Sequence, residues 1–125
     1  AFYMGTSTGN LDEIRRIDPR TTPGVKIFMG ASTGNMLVDD PEILDAVFRE
    51  APTPIITHCE DTPLIDANMA AARERYGSDV PVSMHPDRRS RAACITSTRL
   101  ALDLARRHDA RLHVLHISTA DELAL

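Results

Sequence analysis

Three short apolar stretches of this chain each carry a polar residue of a kind that binds metal or moves protons. Pro54-Ile55-Ile56-Thr57-His58-Cys59-Glu60-Asp61 ends its apolar run in a histidine. Val25-Lys26-Ile27-Phe28-Met29 encloses a lysine, and Leu112-His113-Val114-Leu115-His116-Ile117 encloses two histidines. Neutral imidazole is a ligand for zinc and a proton carrier near pH 7. A lysine inside an apolar run is a charged residue at a position that burial would otherwise claim for an apolar one. Each feature alone has an ordinary explanation. A strand-end histidine is often a hydrogen-bonded structural residue, and a strand lysine can extend its ammonium to the rim. Glu60 and Asp61 most simply favour a following helix N-terminus, while Cys59 and Cys94 read as small packing residues. His85 reads as a loop residue and His108 as a helix-end residue. What raises the set above these explanations is its conjunction, with lysine, histidine and histidine on successive strands.

The elements that must position these residues can be read from the pattern. Ala1 to Gly5 ends a strand, and Thr6 to Gly9 is a loop. Asn10 caps a short helix through Ile17, with Asp12 and Glu13 in its first turn. A turn-rich connection, Pro19 to Gly24, leads to the strand Val25 to Met29 and then to the loop Gly30 to Asn35. Asp40-Pro41 starts the next helix, whose Ile43, Leu44, Val47 and Phe48 recur at helical spacing. After the strand ending in His58, a helix from Pro63 to Tyr76 carries Leu64, Ala67, Ala71 and Ala72 on one side and stops at Gly77. Val80 to Pro86 is irregular. A long helix from Ser90 to His108 uses Ala93, Ser97, Leu100, Ala101 and Leu104 as its packing stripe. The strand Leu112 to Ile117 and a helix capped by Ser118-Thr119 follow.

The order β-α-β-α-β-α-α-β-α is a run of parallel crossover units. With no G-x-G-x-x-G or G-x-x-x-x-G-K-S/T after a strand, the nucleotide-binding grounds for a doubly wound sheet fall away. Polar residues at successive strand ends favour a (β/α)8 barrel, in which they converge on one site. Strict alternation along the strands puts Ile56 with His58, Lys26 with Phe28, and His116 with Leu112 and Val114. On that reading His116 points inward, His113 faces the helix layer, and Lys26 is largely buried.

Composition sets limits on function. The 125 residues are 42% hydrophobic and 26% charged, as expected of a globular chain. No apolar run is long enough to span a bilayer and no signal-peptide pattern opens the chain, so the expected location is cytoplasmic, with no membrane partner. A net charge of −4 without a basic face argues against nucleic acid. Two cysteines outside any C-x-x-C pair suit reduced thiols. The first and last residues, Ala1 and Leu125, read as cuts within a longer protein whose single barrel domain contains residues 1–125.

In combination, Val25-Lys26-Ile27-Phe28-Met29-Gly30-Ala31-Ser32-Thr33-Gly34-Asn35-Met36-Leu37, Thr57-His58-Cys59-Glu60-Asp61, His85-Pro86 with Arg89-Ser90 and Ala93-Cys94, and Leu112 through Thr119 resemble the central part of a bacterial dihydroorotase, of the metal-dependent amidohydrolase superfamily. The resemblance implies part of a (β/α)8 TIM barrel, from about strand 3 to the start of helix 6. It implies that Lys26 is carboxylated by CO2 and bridges two Zn²⁺ ions, and that His58 and His116 bind the second of them. The reaction it implies is the reversible cyclisation of N-carbamoyl-L-aspartate to L-dihydroorotate in pyrimidine synthesis. The partner is then a small-molecule substrate, and the assembly expected of the complete protein is a homodimer.

The same resemblance places the His-x-His pair of the first strand, its neighbouring substrate-binding arginine and the catalytic aspartate of the eighth strand outside these residues. No catalytic base is therefore expected within the chain, which is expected to be inactive and poorly folded by itself. Two alternatives remain open. Allantoinase or dihydropyrimidinase would keep Lys26, His58 and His116 and change the substrate, although the Gly34-Asn35-Met36-Leu37 loop and the His85-Pro86 to Arg89-Ser90 stretch favour dihydroorotase. An inactive dihydroorotase-like scaffold for aspartate transcarbamoylase would lose metal ligands, against which the retained lysine and histidines argue.

Overall fold

The computed structural model describes residues 1–32 and 34–125. Thr33, within the loop expected over Gly30 to Asn35, lies outside the described residues. The strands are β1 (Met4–Gly5), β2 (Val25–Phe28), β3 (Ile55–His58) and β4 (Leu112–Val114). They form a parallel sheet in the order β1-β2-β3-β4, so each crossover returns the chain to the next position in the sheet. The connections carry α1 (Leu11–Arg15), α2 (Pro41–Glu50), α3 (Thr62–Tyr76), α4 (His85–Arg88) and α5 (Arg91–His108), with 3-10 turns at Gly34–Met36, Val82–Met84 and Ala120–Ala124. Sequential parallel strands with helices on one face are the repeating unit of a barrel wall.

The two faces of the sheet differ sharply. Val25 and Ile27 of β2 and Ile55 of β3 are wholly buried against Ile14, Leu44, Val47, Phe48, Ala101 and Leu104 from the helices. Leu112 and Val114 pack against the same core. Fully burying a Leu, Val or Phe contributes about 1.5–3 kcal/mol, so the three inward residues of α2 alone hold that helix on the sheet. The opposite face carries Lys26 and Phe28, Ile56 and His58, and, by its register opposite Ile56, His113. His113 thus shares the face of Lys26 and His58 and is turned away from the helix layer, contrary to the alternation argument. Leu112 and Val114, on the face expected to point inward, join the helix-covered core instead.

Local chemistry explains where the helices begin and end. Asp40 caps α2 by accepting from the amides of Glu42 and Ile43 at 2.9 and 3.2 Å, with Pro41 at the first helical position. Gly77, at φ 69°, ends α3 in a conformation costly to other residues. Ser90 caps α5. Asn10, by contrast, makes no side-chain cap. It accepts from the Ser7 amide and donates to the Gly5 carbonyl, tying the loop after β1 to the strand, and α1 stops at Arg15.

The packing stripes differ from strict periodicity in places. Leu100 is exposed, and Thr98 and Ala105 are buried in its stead. Only Ala72 of α3 is buried, leaving Ala67 and Ala71 at the surface. His85 opens α4 where irregular chain is expected. His108 instead bridges helices, with its Nε2 2.8 Å from Asp45 Oδ1.

Candidate functional site

The carboxyl ends of β3 and β4 border an open cleft of about 500 Å³, lined by His58, Glu60, Arg89, Cys94, Leu115 and His116 among others. Parallel pairing extends past the formal strand ends, through the Met29 amide to the His58 carbonyl and the Leu115 amide to the Thr57 carbonyl, each at 3.0 Å. His58 is therefore held at the rim as the last residue of β3, beside its register partner Phe28, with the two ring centres 5.9 Å apart.

His116 arrives by a different route. Continued alternation from Leu112 and Val114 would aim it at the helices, but β4 ends at Val114 and His116 takes a left-handed backbone, φ 39°. This turn brings its Nε2 within 2.9 Å of His58 Nδ1, with ring centres 4.7 Å apart and nearly edge to face. The convergence of the two histidines expected from sequence is thus realised, through a backbone turn and not through strand alternation. Ser118 donates to the His116 carbonyl at 2.8 Å. The following turn is locked by a Thr119–Glu122 capping box, and Glu122, buried, also accepts from Thr98 of α5 at 2.8 Å.

Lys26 lies on the same face, lower on the wall and half-buried. Its Nζ rests 4.4 Å from the centre of the Phe28 ring and donates to the Ile27 carbonyl. Burial pushes its amine below the ordinary value, more than the nearby Cys59 sulfur restores. The same sign governs His58. Burial lowers its pKa, the Glu60 carboxylate opposes the shift, and the charges of His116 and Lys26 reinforce it. Both groups are thereby biased toward the neutral forms that bind metal or react with CO2.

Two further side chains complete the site, and sequence alone assigns neither a role there. Of the two acids read as helix-capping, only Asp61 caps α3, accepting from the Leu64 amide at 2.9 Å. Glu60 turns into the cleft, with Oε2 2.9 Å from His58 Nε2 and Oε1 accepting from Arg89 Nε at 2.8 Å, while Arg89 Nη2 pairs with Oε2. Burial raises the Glu60 carboxyl, but Arg89 and His58 outweigh it and hold the group below its usual range. The available signal is spacing, because a residue two beyond a strand-end histidine tends to the same side. Both cysteines are free, with thiols pushed up by burial, which suits packing. His85 also lines the cleft.

Imidazole nitrogens facing each other with a lysine amine behind them fit a borderline cation such as Zn²⁺. Among the described residues no three His, Cys, Asp or Glu side chains cluster as a metal site. The residues on this face that could hold such an ion are His58 and His116, with Lys26 below them.

The sheet, its crossovers and its rim are those of part of a (β/α)8 barrel. No protein-family model matches the chain. It is 29% identical over 100 residues to the dihydroorotase of Methanosphaera stadtmanae, covering 80% of this chain and 22% of that protein. To the L-hydantoinase of Paenarthrobacter aurescens it is 30% identical, covering all of this chain and 28% of that protein. The solved L-hydantoinase (dihydropyrimidinase) from Arthrobacter aurescens superimposes with a TM-score of 0.87 at 29% identity, over 99% of this chain and 28% of that one. The chain thus spans about a quarter of the length of the relatives it matches.

Proposed function

We propose that this chain supplies one side of the metal centre of a zinc-dependent cyclic-amide hydrolase, with dihydroorotase as the first reading. The observation that carries the proposal is the meeting of His58 Nδ1 and His116 Nε2 at a barrel rim, on the face that bears Lys26. His58 and His116 would hold zinc as neutral imidazoles, and Lys26 would hold it as a carbamate made from CO2. When bound, zinc would supply Lewis acidity and a water acidic enough to be a nucleophile at neutral pH. Burial lowers the proton affinity of the Lys26 amine and of the His58 ring, and the turn at His116 aims its ring into the cleft.

The reaction proposed is the reversible cyclisation of N-carbamoyl-L-aspartate to L-dihydroorotate. The Gly34-Asn35-Met36-Leu37 and His85-Pro86 to Arg89-Ser90 stretches favour it, and the likeness to the Methanosphaera stadtmanae dihydroorotase supports it. Hydantoinase or dihydropyrimidinase activity is the second reading, favoured by a similarity to L-hydantoinase that runs the whole length of the chain. The proposed setting is cytoplasmic and the proposed assembly a homodimer. Among the described residues no helix is long and apolar enough to cross a membrane.

The test uses a protein in which these residues sit in a closed barrel. His58→Ala and His116→Ala should each lose zinc and hydrolysis together, because each removes a direct ligand. Either variant keeping both at parental levels refutes the ligand assignment. Turnover of dihydroorotate against hydantoin and dihydrouracil then separates the two substrate readings.

A further inference from the structure

We infer that Glu60, clamped by Arg89, is a positioning residue that fixes the ring orientation and tautomer of His58. The inference rests on the reading of His58 as a zinc ligand and deepens it. Glu60 is only 8% exposed, and both of its oxygens are engaged, Oε1 by Arg89 and Oε2 by Arg89 and His58. An ionised carboxylate only accepts, so the hydrogen of His58 sits on Nε2 and the Nδ1 lone pair is left facing His116 Nε2. That is the tautomer a ligand needs, and a carboxylate behind the ring also makes the imidazole a stronger donor. With both oxygens occupied, Glu60 is directed to the histidine and not to the metal.

The surroundings hold Glu60 in that place. A Cβ built on Gly30 would fall 2.0 Å from the Glu60 carbonyl oxygen, so the loop after β2 passes too close for any side chain there. The Asp61 amide donates to the Ala93 carbonyl at 3.1 Å, fastening the next residue to α5. Asn68 of α3 donates to the Arg88 carbonyl at 3.1 Å and to Ser90 Oγ at 3.2 Å, bracketing Arg89 on both sides. A purely structural Arg89–Glu60 pair would tie the start of α5 to β3, but it would not require His58 Nε2 to be one of its members.

The test measures zinc affinity by chelator competition and the absorption spectrum of the Co²⁺-substituted site, in the closed-barrel protein. Glu60→Ala should weaken zinc by about 10- to 100-fold and change the cobalt spectrum. Glu60→Gln keeps the volume and an acceptor for His58 but releases Arg89, so it should show a smaller loss with a shifted spectrum. Arg89→Met should weaken zinc in the parent and add nothing in the Glu60→Ala background, since it acts through Glu60.

Metal-free thermal melts separate these effects from unfolding, and Glu60→Gln decides if Glu60→Ala does not fold. Parental affinity and spectrum in the Glu60 variants, alongside zinc loss in His58→Ala, overturn the positioning role and leave the ligand reading intact. Zinc retained by His58→Ala overturns both. Equal effects of Arg89→Met with and without Glu60 overturn the clamp.

Discussion

The Lys26 amine lies against the Phe28 ring on the open face of the sheet, and burial lowers its affinity for a proton. For a lysine that must react with CO2 this is the useful direction, because only the neutral amine forms a carbamate. Lys26→Ala in the closed barrel is expected to lose zinc, and Lys26→Arg to fail as completely, since a guanidinium stays charged and cannot be carboxylated. A short carboxylic acid added to the alanine variant should restore part of the zinc content, measured by metal analysis; a lysine that only packed would not be rescued this way. His116 invites the opposite experiment. Its left-handed backbone is a conformation that glycine adopts without strain. His116→Gly should therefore lose zinc while its metal-free stability, read by denaturant unfolding, stays within about 1 kcal/mol of the parent or rises.

Helix α2 shows how an element is secured from both its cap and its flank. Loss of the Asp40 cap in Asp40→Ala should cost about 1 kcal/mol. Its outer face joins an ion network in which Glu50 pairs with Arg15 of α1 and Asp45 with Arg107 and His108 of α5. Hydrogen bonds from Arg15 and Arg49 lower the Glu50 carboxyl from 4.5 to about 2. A depressed carboxylate stabilises the fold above its unfolded value and loses that contribution as the pH falls through its folded value. Glu50→Gln should consequently flatten the loss of stability between pH 4.5 and about 2, and added salt should shrink the difference, because the pair is at the surface.

The sheet as a whole is open on both sides. Strands β1 and β4 are its edges, and Phe2, Val82 and Leu123 stand 90, 91 and 76% exposed. Unpaired strand edges and bare apolar side chains drive association. The 125-residue chain expressed alone is expected to self-associate and to bind a hydrophobic dye, as measured by light scattering and ANS fluorescence. A monomeric, dye-silent chain would show that the open wall is stable without further strands.

Much of this was legible in the residues themselves. Period and capping determined the alternation of strand and helix, Asp40-Pro41 and Gly77 marked boundaries correctly, and the apolar runs located β2 and β3, because these signals depend on neighbours a few residues away. Residue chemistry likewise singled out Lys26, His58 and His116. Tertiary structure decided what depends on register and on contacts distant in sequence. The pairing of Ile56 with His113 placed that histidine on the face of Lys26, and the turn after Val114 carried His116 across to His58. The engagement of Glu60 by Arg89, 29 residues away, is of the same kind. A carboxylate after a strand looks alike whether it caps a helix or grips a histidine, and only the fold, which sets the junction of α4 and α5 beside the residues after β3, brings the Arg89 guanidinium that chooses between them.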